Sequence, residues 1–314
     1  MPEKGKSILS SQQEANERIS SGISIIIPAY NEQDGIGPVL EHIHQVLQDR
    51  GWTYELIVVD DGSVDDTHNI AGSVSNTKVL RHPRNRGYGA ALKTGIRHAQ
   101  FENLLITDAD GTYPVDQIPE LVEHFIDGEC DMVVGARVGE NVSIPILRRP
   151  AKWFIRKLAE IVAGIPIPDL NSGLRVFRKG ATLPFFNMLP EGFSFTTTIT
   201  LAMVTNGYIV AYVPISYFQR VGKSKLRPIR DTLNFIQLVL RITLYFMPLK
   251  IFVPISMVLI VISIAWAVFS TIVLGRLADA SAVVIFMTGV QVGVLGLLAE
   301  LLDRRLPSFH RPED

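Results

Sequence analysis

Short apolar segments alternate with amphipathic segments from residue 23 to about residue 225. Five apolar runs have the length and the flanking turn residues of buried strands; they are 24–27, 55–59, 77–80, 104–107 and 132–134. Apolar residues recur at helical spacing in the segments between them, which are 36–50, 66–74, 88–99 and 115–126. This alternation predicts an α/β fold in which helices cover a mostly parallel, Rossmann-like sheet.

Two longer apolar stretches, 251–274 and 281–298, lie near the end of the sequence. Each is long enough to cross a membrane as a helix, and a short link joins them. The alternative is a pair of buried core helices. Two adjacent stretches of this length argue against that alternative, so the pattern predicts a membrane hairpin.

The charges that flank the hairpin predict its orientation. Lys250 precedes the first stretch, and Arg304 and Arg305 follow the second. Because positive residues are retained in the cytoplasm, both ends of the hairpin and the large N-terminal region are predicted to be cytoplasmic. The second stretch has a face of small residues that suits close helix packing, either within the hairpin or against a neighbouring protomer, and we therefore predict a homo-oligomer; the residues are Gly289, Gly293 and Gly296.

The segment 228–248 combines a broad apolar face with a narrow polar stripe. This pattern is typical of a helix in the membrane interface, although an ordinary helix packed under the domain would share it. The predicted divisions of the chain are a polar tail 1–22, an α/β domain 23–227, an interfacial helix 228–248, a transmembrane hairpin 249–303 and a cytoplasmic tail 304–314.

Composition adds little to this picture. The chain has 314 residues and a formal net charge of −1, so no electrostatic argument supports a nucleic-acid partner. The single cysteine, Cys130, excludes an intramolecular disulfide and fits a reducing compartment. The first 22 residues are polar and lack the apolar core of a cleavable signal peptide.

Candidate chemistry begins at Asp108 and Asp110, directly after the fourth predicted strand. An Asp-x-Asp at this place puts two carboxylates at the carboxyl edge of the sheet, where open α/β folds bind ligands. Two ionised carboxylates favour Mg²⁺ or Mn²⁺, and such a cation can stabilise a diphosphate leaving group. The alternative is an acidic loop that only solvates a strand end.

Six motifs occur in a fixed order. They are Pro28-Ala-Tyr-Asn-Glu32, Val58-Val-Asp-Asp-Gly-Ser63, Asn85-Arg-Gly-Tyr-Gly-Ala-Ala91, Asp108-Ala-Asp110, Gly135-Ala-Arg137 and Asp169-Leu-Asn-Ser-Gly-Leu-Arg175. This series resembles the family-2, GT-A type glycosyltransferases. The later segment 220–226 resembles that of the polyprenyl-phosphate hexosyltransferases, the group of dolichyl-phosphate mannose synthases and bacterial polyprenyl-phosphate glucosyltransferases. The resemblance covers residues 23 to about 227.

The resemblance implies a donor site for a nucleotide sugar at the ends of the first, second and fourth strands. The implied nucleotide contacts are Pro28, Tyr30, Glu32, Asp60, Asp61 and Asp108. A turn with a helix cap is the alternative for the segment 60–63. The glycines of Gly87-Tyr88-Gly89 could hold a phosphate at a helix N-terminus or merely permit a tight turn. His82 is interpreted as a surface or cap residue.

One position departs from the family pattern. Many members carry Gln two residues beyond the second Asp, where it can complete the metal shell. Here that residue is Thr112. Asp108 and Asp110 remain the predicted metal ligands, and the third ligand, Thr112 or water, is left open.

A polyprenyl phosphate is the implied acceptor. It is already an anion near neutral pH, so its oxygen needs cations around it more than it needs a strong base. The cationic and polar candidates for the acceptor phosphate are Arg148, Arg149, Arg220, Lys223, Ser224 and Lys225. Arg148 and Arg149 belong to a basic segment that would also suit contact with anionic lipid.

Asp169 is a catalytic candidate, together with Asp110 and Arg137. Asp169 either faces the acceptor or orients a sugar hydroxyl or a cationic residue. The predicted function is inverting transfer of a hexosyl group, from a donor of the GDP-mannose or UDP-glucose type, to a polyprenyl phosphate in cell-envelope glycan synthesis. The rivals are a processive polysaccharide synthase, whose Gln-x-x-Arg-Trp motif does not occur here, and a catalytically silent membrane scaffold that binds nucleotide sugar.

Overall fold

The computed structural model describes residues 22–128, 130–137, 160, 163–217, 237, 243–244, 247–274 and 280–305. The predicted polar tail, the link between the two apolar stretches and the end of the chain after residue 305 lie outside these residues, as does most of the predicted interfacial helix. The predicted domain boundaries therefore stay predictions.

Seven strands form one sheet in the order β3-β2-β1-β4-β6-β5-β7. They are β1 Ile23–Ala29, β2 Tyr54–Asp60, β3 Thr77–Arg81, β4 Asn103–Ile106, β5 Met132–Arg137, β6 Arg175–Arg178 and β7 Val210–Ile215. The five predicted strands are confirmed with small shifts at their ends. Strands β6 and β7 were not predicted, because β6 has only four residues, with Arg at both ends, and β7 contains Pro214.

The sheet is mostly parallel, as predicted. Strand β1 pairs in parallel with β2 along its whole length and with β4 from Ile23 to Ile26. Strand β6 is the exception, since it runs antiparallel to both of its neighbours, β4 and β5. Its reversed direction places the segment before it, 169–174, at the same edge as the ends of β4 and β5.

Among the described residues, the α-helices that accompany the sheet include α1 Ile36–Asp49, α2 Thr67–Ser73, α3 Tyr88–His98, α4 Ile118–Asp127, α5 Lys179–Thr182 and α6 Phe195–Thr205. Successive side chains of a strand point to opposite faces, and β1 follows this rule. Ile26 belongs to a hydrophobic cluster with residues of α3 and α6. Ile25 and Ile27 belong to a second cluster with residues of α1 and α4. Helices therefore cover both faces of the sheet.

The two apolar stretches form long helices, α7 Leu249–Leu274 and α8 Ala280–Arg305. Each has 26 residues, which is about 39 Å of helix and enough to cross a bilayer. Most of their large apolar side chains are exposed. Both helices are therefore candidates for membrane spans by length and composition.

The glycine face of α8 packs against α7 of the same chain. Side-chain Cβ atoms added at Gly289 and Gly296 would lie 3.0 Å from Ile260 Cγ1 and 2.5 Å from Phe252 Cβ. Ser256 Oγ donates a hydrogen bond of 2.7 Å to the carbonyl oxygen of Gly289. Of the two partners that the sequence left open for this face, the structure has the one within the hairpin. The homo-oligomer remains a prediction.

Candidate functional site

The loops that follow β1 and β2 are joined by hydrogen bonds at the carboxyl edge of the sheet. The backbone N–H of Asn31 donates to Ser63 Oγ at 3.0 Å, and the side-chain oxygen of Asn31 accepts from the N–H of Val64 at 3.0 Å. The N–H of Glu32 donates to Thr67 Oγ1 at 2.9 Å. Tyr30 is exposed at this edge.

Pro28 and Asp60 are both buried in this structure. Pro28 is buried in β1, beyond the residues that pair with β4. Asp60 is fully buried, and its Oδ1 accepts a hydrogen bond of 2.8 Å from the N–H of Ser63. Its Oδ2 lies 3.2 Å from Arg81 Nε, but the geometry is not that of a hydrogen bond. Asp60 therefore has one oxygen without a hydrogen bond among the described residues.

Both carboxylate oxygens of Asp61 accept hydrogen bonds. Its Oδ1 accepts from the N–H of Arg86 at 2.9 Å, and its Oδ2 accepts from the N–H of Gly87 at 2.7 Å. His82 Nδ1 lies 2.7 Å from the same Oδ1, and His82 Nε2 lies 2.9 Å from Thr94 Oγ1. Asp61 thus fixes the turn before α3. His82 is buried, so the prediction of a surface or cap position for it is wrong.

The N-terminus of α3 is covered by a segment of the same chain. The N–H of Ala90 donates to the carbonyl oxygen of Glu191 at 3.0 Å. A Cβ added at Gly89 would lie 2.2 Å from the carbonyl oxygen of Pro190. The glycines at the start of α3 therefore permit close packing. Gly87, with a φ of 105°, also fits the tight turn that the sequence left open as the alternative to phosphate binding.

Asp108 and Asp110 follow β4, and both are partly exposed. Tyr88 donates from its hydroxyl to Asp108 Oδ1 at 3.1 Å. The chain before β6 approaches the same carboxylate, since a Cβ added at Gly173 would lie 2.9 Å from Asp108 Oδ1. The N–H of this glycine donates to the hydroxyl of Tyr113 at 2.6 Å. Two carboxylates, two tyrosines and a tightly approaching backbone thus share one corner of the sheet edge.

Thr112 occupies the position at which many members of the family carry Gln. Its backbone N–H and its hydroxyl both donate to Asp110 Oδ1, at 3.1 and 2.7 Å. Thr112 is 2% exposed, and the hydrogen bond from its hydroxyl to Asp110 fixes its buried side chain. The residue orients a predicted metal ligand.

The donor set at this corner fits a hard divalent cation. Asp108 and Asp110 supply carboxylate oxygens, which Mg²⁺ and Mn²⁺ prefer. Within the described ranges no group of three His, Cys, Asp or Glu side chains could hold a metal. Mg²⁺ usually binds through one or two carboxylates and completes its shell with water and substrate oxygens, so two carboxylates suit it.

Arg137 and Asp169 form a bidentate ion pair beside this corner. Arg137 Nε lies 2.7 Å from Asp169 Oδ2, and Arg137 Nη2 lies 2.9 Å from Asp169 Oδ1. The backbone N–H groups of Arg137 and Asn171 also donate to the carboxylate. The guanidinium carbon lies 5.3 Å from the centre of the Tyr217 ring. Asp169 therefore orients a cationic residue in this structure.

Burial and hydrogen bonding oppose each other at this pair. Burial alone would raise the pKa of Asp169, but the hydrogen bonds and the charge of Arg137 outweigh it and lower that pKa. Burial would likewise lower the pKa of Arg137, whereas Asp169 and the nearby tyrosines raise it. Both groups are charged at neutral pH, so Asp169 is a poor proton acceptor.

Arg175 is a buried residue of the site whose position the sequence did not predict. It is fully buried, and its guanidinium donates to the carbonyl oxygens of Ser172 and Thr196 and to Thr200 Oγ1. Burial lowers its pKa. Arg175 ties the start of β6 to α6 and so fixes the loop that carries Asp169 and Gly173. Nothing in the spacing of the sequence distinguishes a buried arginine from an exposed one.

The predicted acceptor residues cannot be placed. Arg148, Arg149, Arg220, Lys223, Ser224 and Lys225 all lie outside the described residues. The described part of the site therefore comprises the predicted donor contacts, Asp110, Arg137 and Asp169. Their roles stay predictions, although the geometry brings Asp108, Asp110, Arg137 and Asp169 to one edge.

Two protein families match the chain. Residues 24–183 match glycosyl transferase family 2, and residues 247–304 match the GtrB C-terminal hairpin. The first match covers the strands and loops that form the site, and the second covers α7 and α8.

Curated relatives carry names for lipid-phosphate sugar transfer. A dolichyl-phosphate hexose transferase of Haloferax volcanii is 30% identical, over 66% of this chain and 87% of the relative. A dolichyl-phosphate beta-glucosyltransferase of Trichomonas vaginalis is 30% identical, over 65% of this chain and 66% of the relative. An undecaprenyl-phosphate 4-deoxy-4-formamido-L-arabinose transferase of Klebsiella pneumoniae is 32% identical, over 50% of this chain and 49% of the relative.

Solved structures support the fold. Glucosyl-3-phosphoglycerate synthase from Mycobacterium tuberculosis, in complex with Mn²⁺, uridine diphosphate and phosphoglyceric acid, superposes with a TM-score of 0.58 at 21% identity. The superposition covers 73% of this chain and 82% of that one. Another structure of the same synthase holds Mg²⁺ and uridine diphosphate. With the sheet order, the matched families and these relatives together, the chain belongs to glycosyl transferase family 2, has the GT-A fold and is a glycosyltransferase.

Proposed function

We propose that this enzyme transfers a hexosyl group from a nucleoside-diphosphate sugar to a polyprenyl phosphate, on the cytoplasmic side of a membrane. The observation that carries the proposal is the combination, in one chain, of the Asp108–Asp110 corner and a hairpin of two membrane-length helices. The named activities of the relatives support the acceptor class. They do not select a particular sugar, nucleotide or chain length.

The donor diphosphate belongs at the Asp108–Asp110 corner in this proposal. Bound Mg²⁺ or Mn²⁺ would neutralise charge on the leaving diphosphate. Thr112 donates a hydrogen bond to Asp110, and Tyr88 donates one to Asp108, so both carboxylates are restrained. Tyr30 and Glu32 lie at the neighbouring strand end, where the nucleoside is expected.

The chemistry requires one substitution at the anomeric carbon. A phosphate oxygen of the acceptor forms a bond to that carbon while the bond from the carbon to the diphosphate oxygen breaks. The attacking oxygen already carries negative charge, so no protein base has to remove a proton. Attack opposite the leaving group inverts the configuration of the carbon.

Arg137 suits the acceptor phosphate. Asp169 accepts hydrogen bonds from Nε and Nη2 of Arg137. The Nη1 of Arg137 makes no hydrogen bond among the described residues. Its side chain is 23% exposed, so a phosphate oxygen could reach it. We therefore assign Arg137 to charge neutralisation and Asp169 to the positioning of Arg137. The cations of the segments 148–149 and 220–225 are proposed to complete the phosphate site.

A donor panel in proteoliposomes tests the proposal. UDP- and GDP-sugars would be offered with a short polyprenyl phosphate, and products would be identified by mass spectrometry. We expect one sugar per lipid phosphate, a loss of ~10²–10³ in rate for Asp110→Asn, which removes an electrostatic stabiliser, and a similar loss in EDTA that Mg²⁺ or Mn²⁺ reverses.

Other outcomes identify the rivals. Extended glycan products would indicate a processive synthase. Nucleotide-sugar binding by calorimetry without any transfer would indicate a silent scaffold. Full activity in excess chelator would remove the metal from the mechanism.

A further inference from the structure

Phe193 is a large aromatic residue with an exposed ring at the edge of the site. It is 81% exposed and lies in the segment just before α6. Single exposed apolar residues are common on protein surfaces and need no explanation by themselves. The surroundings of Phe193 are what distinguish it.

The ring of Phe193 stacks on Tyr88, a residue that contacts the acidic corner. The two ring centres lie 5.6 Å apart with an interplanar angle of 14°. The hydroxyl of Tyr88 donates to Asp108 Oδ1 at 3.1 Å. One side chain therefore separates the exposed ring from a predicted metal ligand.

The segment that carries Phe193 is fixed against α3. Glu191 accepts a hydrogen bond from the N–H of Ala90 through its carbonyl oxygen, and its carboxylate lies 3.4 Å from Arg86 Nη2. Leu189, which precedes Glu191, and Phe195, at the start of α6, are buried in the hydrophobic cluster that covers the α3–α6 face of the sheet. The exposed ring is thus held in place by its neighbours on both sides.

The same cluster extends toward the membrane hairpin. Met247, two residues before the start of α7, packs against it. The segment with Phe193 is therefore anchored in a cluster that contacts both the site and the chain leading into the hairpin.

We propose that Phe193, supported by Tyr88, binds the first isoprene units of the acceptor. This inference rests on the proposed function. A prenyl phosphate joins its charged group directly to an apolar chain, so the first isoprene must lie within a few ångströms of the reacting phosphate. An apolar ring beside the acidic corner offers that isoprene a surface to bury, and burial of apolar surface is favourable.

Substitution of Phe193 tests the inference in the full-length enzyme. For Phe193→Ala we expect a loss of about tenfold in kcat/KM for farnesyl phosphate, the size of effect that one apolar contact commonly has. Phe193→Leu keeps an apolar side chain and should recover most of the activity. Because the ring stacks on Tyr88, which donates to Asp108, the KM for the nucleotide sugar is measured in both variants. Its change should be smaller than the loss in kcat/KM for farnesyl phosphate.

The alternatives give different results. A rise in the donor KM in Phe193→Ala as large as the loss in kcat/KM for farnesyl phosphate would show that the ring acts on the donor site, and it would overturn the inference. Unchanged kcat/KM for farnesyl phosphate in Phe193→Ala would also overturn it, while leaving the proposed function intact. If the wild-type enzyme itself fails to transfer to any prenyl phosphate, the proposed function fails and the inference fails with it.

Discussion

At the residue scale, Arg137 and Asp169 pair their opposite charges and form hydrogen bonds with each other. Asp169 accepts hydrogen bonds from the guanidinium and the backbone N–H of Arg137 and from the N–H of Asn171. A carboxylate held in this way is ionised and oriented. In the proposed function, Asp169 keeps the Arg137 cation in a fixed place for a reaction between two phosphate-bearing substrates.

The lowered pKa of Asp169 predicts a pH-dependent contribution to stability. An unfolded Asp titrates near pH ~3.9, so the contribution of the ion pair is complete above that pH and is lost as the pH falls through the lower folded pKa. The difference in unfolding midpoint between wild type and Asp169→Asn should be largest near neutral pH and should shrink below about pH 4. Denaturation in detergent micelles at several pH values measures it.

An exposed carboxylate supplies the control for this experiment. Asp49 lies exposed at the end of α1, and Asp49→Asn should change the midpoint little at any pH. A difference for Asp169→Asn that stays constant from neutral to strongly acidic pH would show that the charge of Asp169 is not what stabilises the fold.

Thr112 is predicted to act on Asp110 through its hydroxyl. Thr112→Val keeps the shape of the side chain but removes the donor to Asp110 Oδ1, whereas Thr112→Ser keeps the donor. The valine variant should need a severalfold higher Mg²⁺ or Mn²⁺ concentration for half-maximal transfer, since residues that orient metal ligands commonly change metal affinity by ~10–100-fold. Equal metal requirements of the valine and serine variants would argue against this role.

At the scale of elements, the close contact between α3 and the segment before α6 shapes the site. This contact places Phe193 over Tyr88 and leaves no room for a side chain at Gly89. Helix α6, which follows this segment, is joined in turn to β6 through Arg175, whose guanidinium donates to the carbonyl oxygens of Ser172 and Thr196. Three elements that are distant in sequence thus fix one corner.

Gly89→Ala should destabilise the enzyme and reduce its activity. Its Cβ would meet the backbone oxygen of Pro190 at 2.2 Å, and a backbone contact of this kind has to shift. Overpacking commonly costs ~1–3 kcal/mol in unfolding free energy. Chemical denaturation of the full-length enzyme in micelles measures the change.

Gly72→Ala is the matched control, because Gly72 is also helical but has nothing within 4 Å of its added Cβ. This variant should be neutral or more stable by up to ~1 kcal/mol, as alanine is the better helix former. Equal effects of the two substitutions would show that the contact with Pro190 is unimportant.

At the scale of the whole molecule, the two helices of the hairpin are long and apolar, and hydrogen bonds join them to each other. Ser256 and Ser263 on α7 donate to the carbonyl oxygens of Gly289 and Ala282 on α8. In a bilayer, where no water is available, these hydrogen bonds give the serine hydroxyls partners. The glycine face is used within the chain, so it offers no separate argument for an oligomer.

Gly296→Leu is therefore predicted to separate the two helices. Its added atoms would overlap Phe252, whereas Leu295→Ala alters an exposed neighbour and serves as the control. A disulfide between cysteines introduced at Ser263 and Ala282 should form less readily in the Gly296→Leu background. Unchanged cross-linking together with loss of a homo-oligomer would instead assign the glycine face to a neighbouring protomer.

Accessibility to a membrane-impermeant reagent tests the predicted orientation. Cysteine at position 278, in the link between the two helices, should be labelled in intact cells, and cysteine at position 308 only after permeabilisation. The positive residues Lys250, Arg304 and Arg305 are the reason for this expectation. The opposite labelling pattern would place the catalytic domain outside the cytoplasm and would contradict the proposed function.

The sequence alone determined the features that depend on local periodicity. Five strands, the helices between them and two membrane-length helices follow from the spacing of apolar residues, because each element buries one face or one stripe. The positions of Asp108 and Asp110 at the carboxyl edge follow from the same alternation.

The tertiary structure decided which polar groups meet. Asp61 and His82 became buried partners, Thr112 came to orient Asp110, and Asp169 paired with Arg137. The antiparallel direction of β6 and the stacking of the exposed Phe193 on Tyr88 also became apparent only in the structure. Each of these depends on contacts between segments distant in the chain, and such contacts are set by packing and by the pairing of buried polar groups, which leave no periodic signal in the sequence.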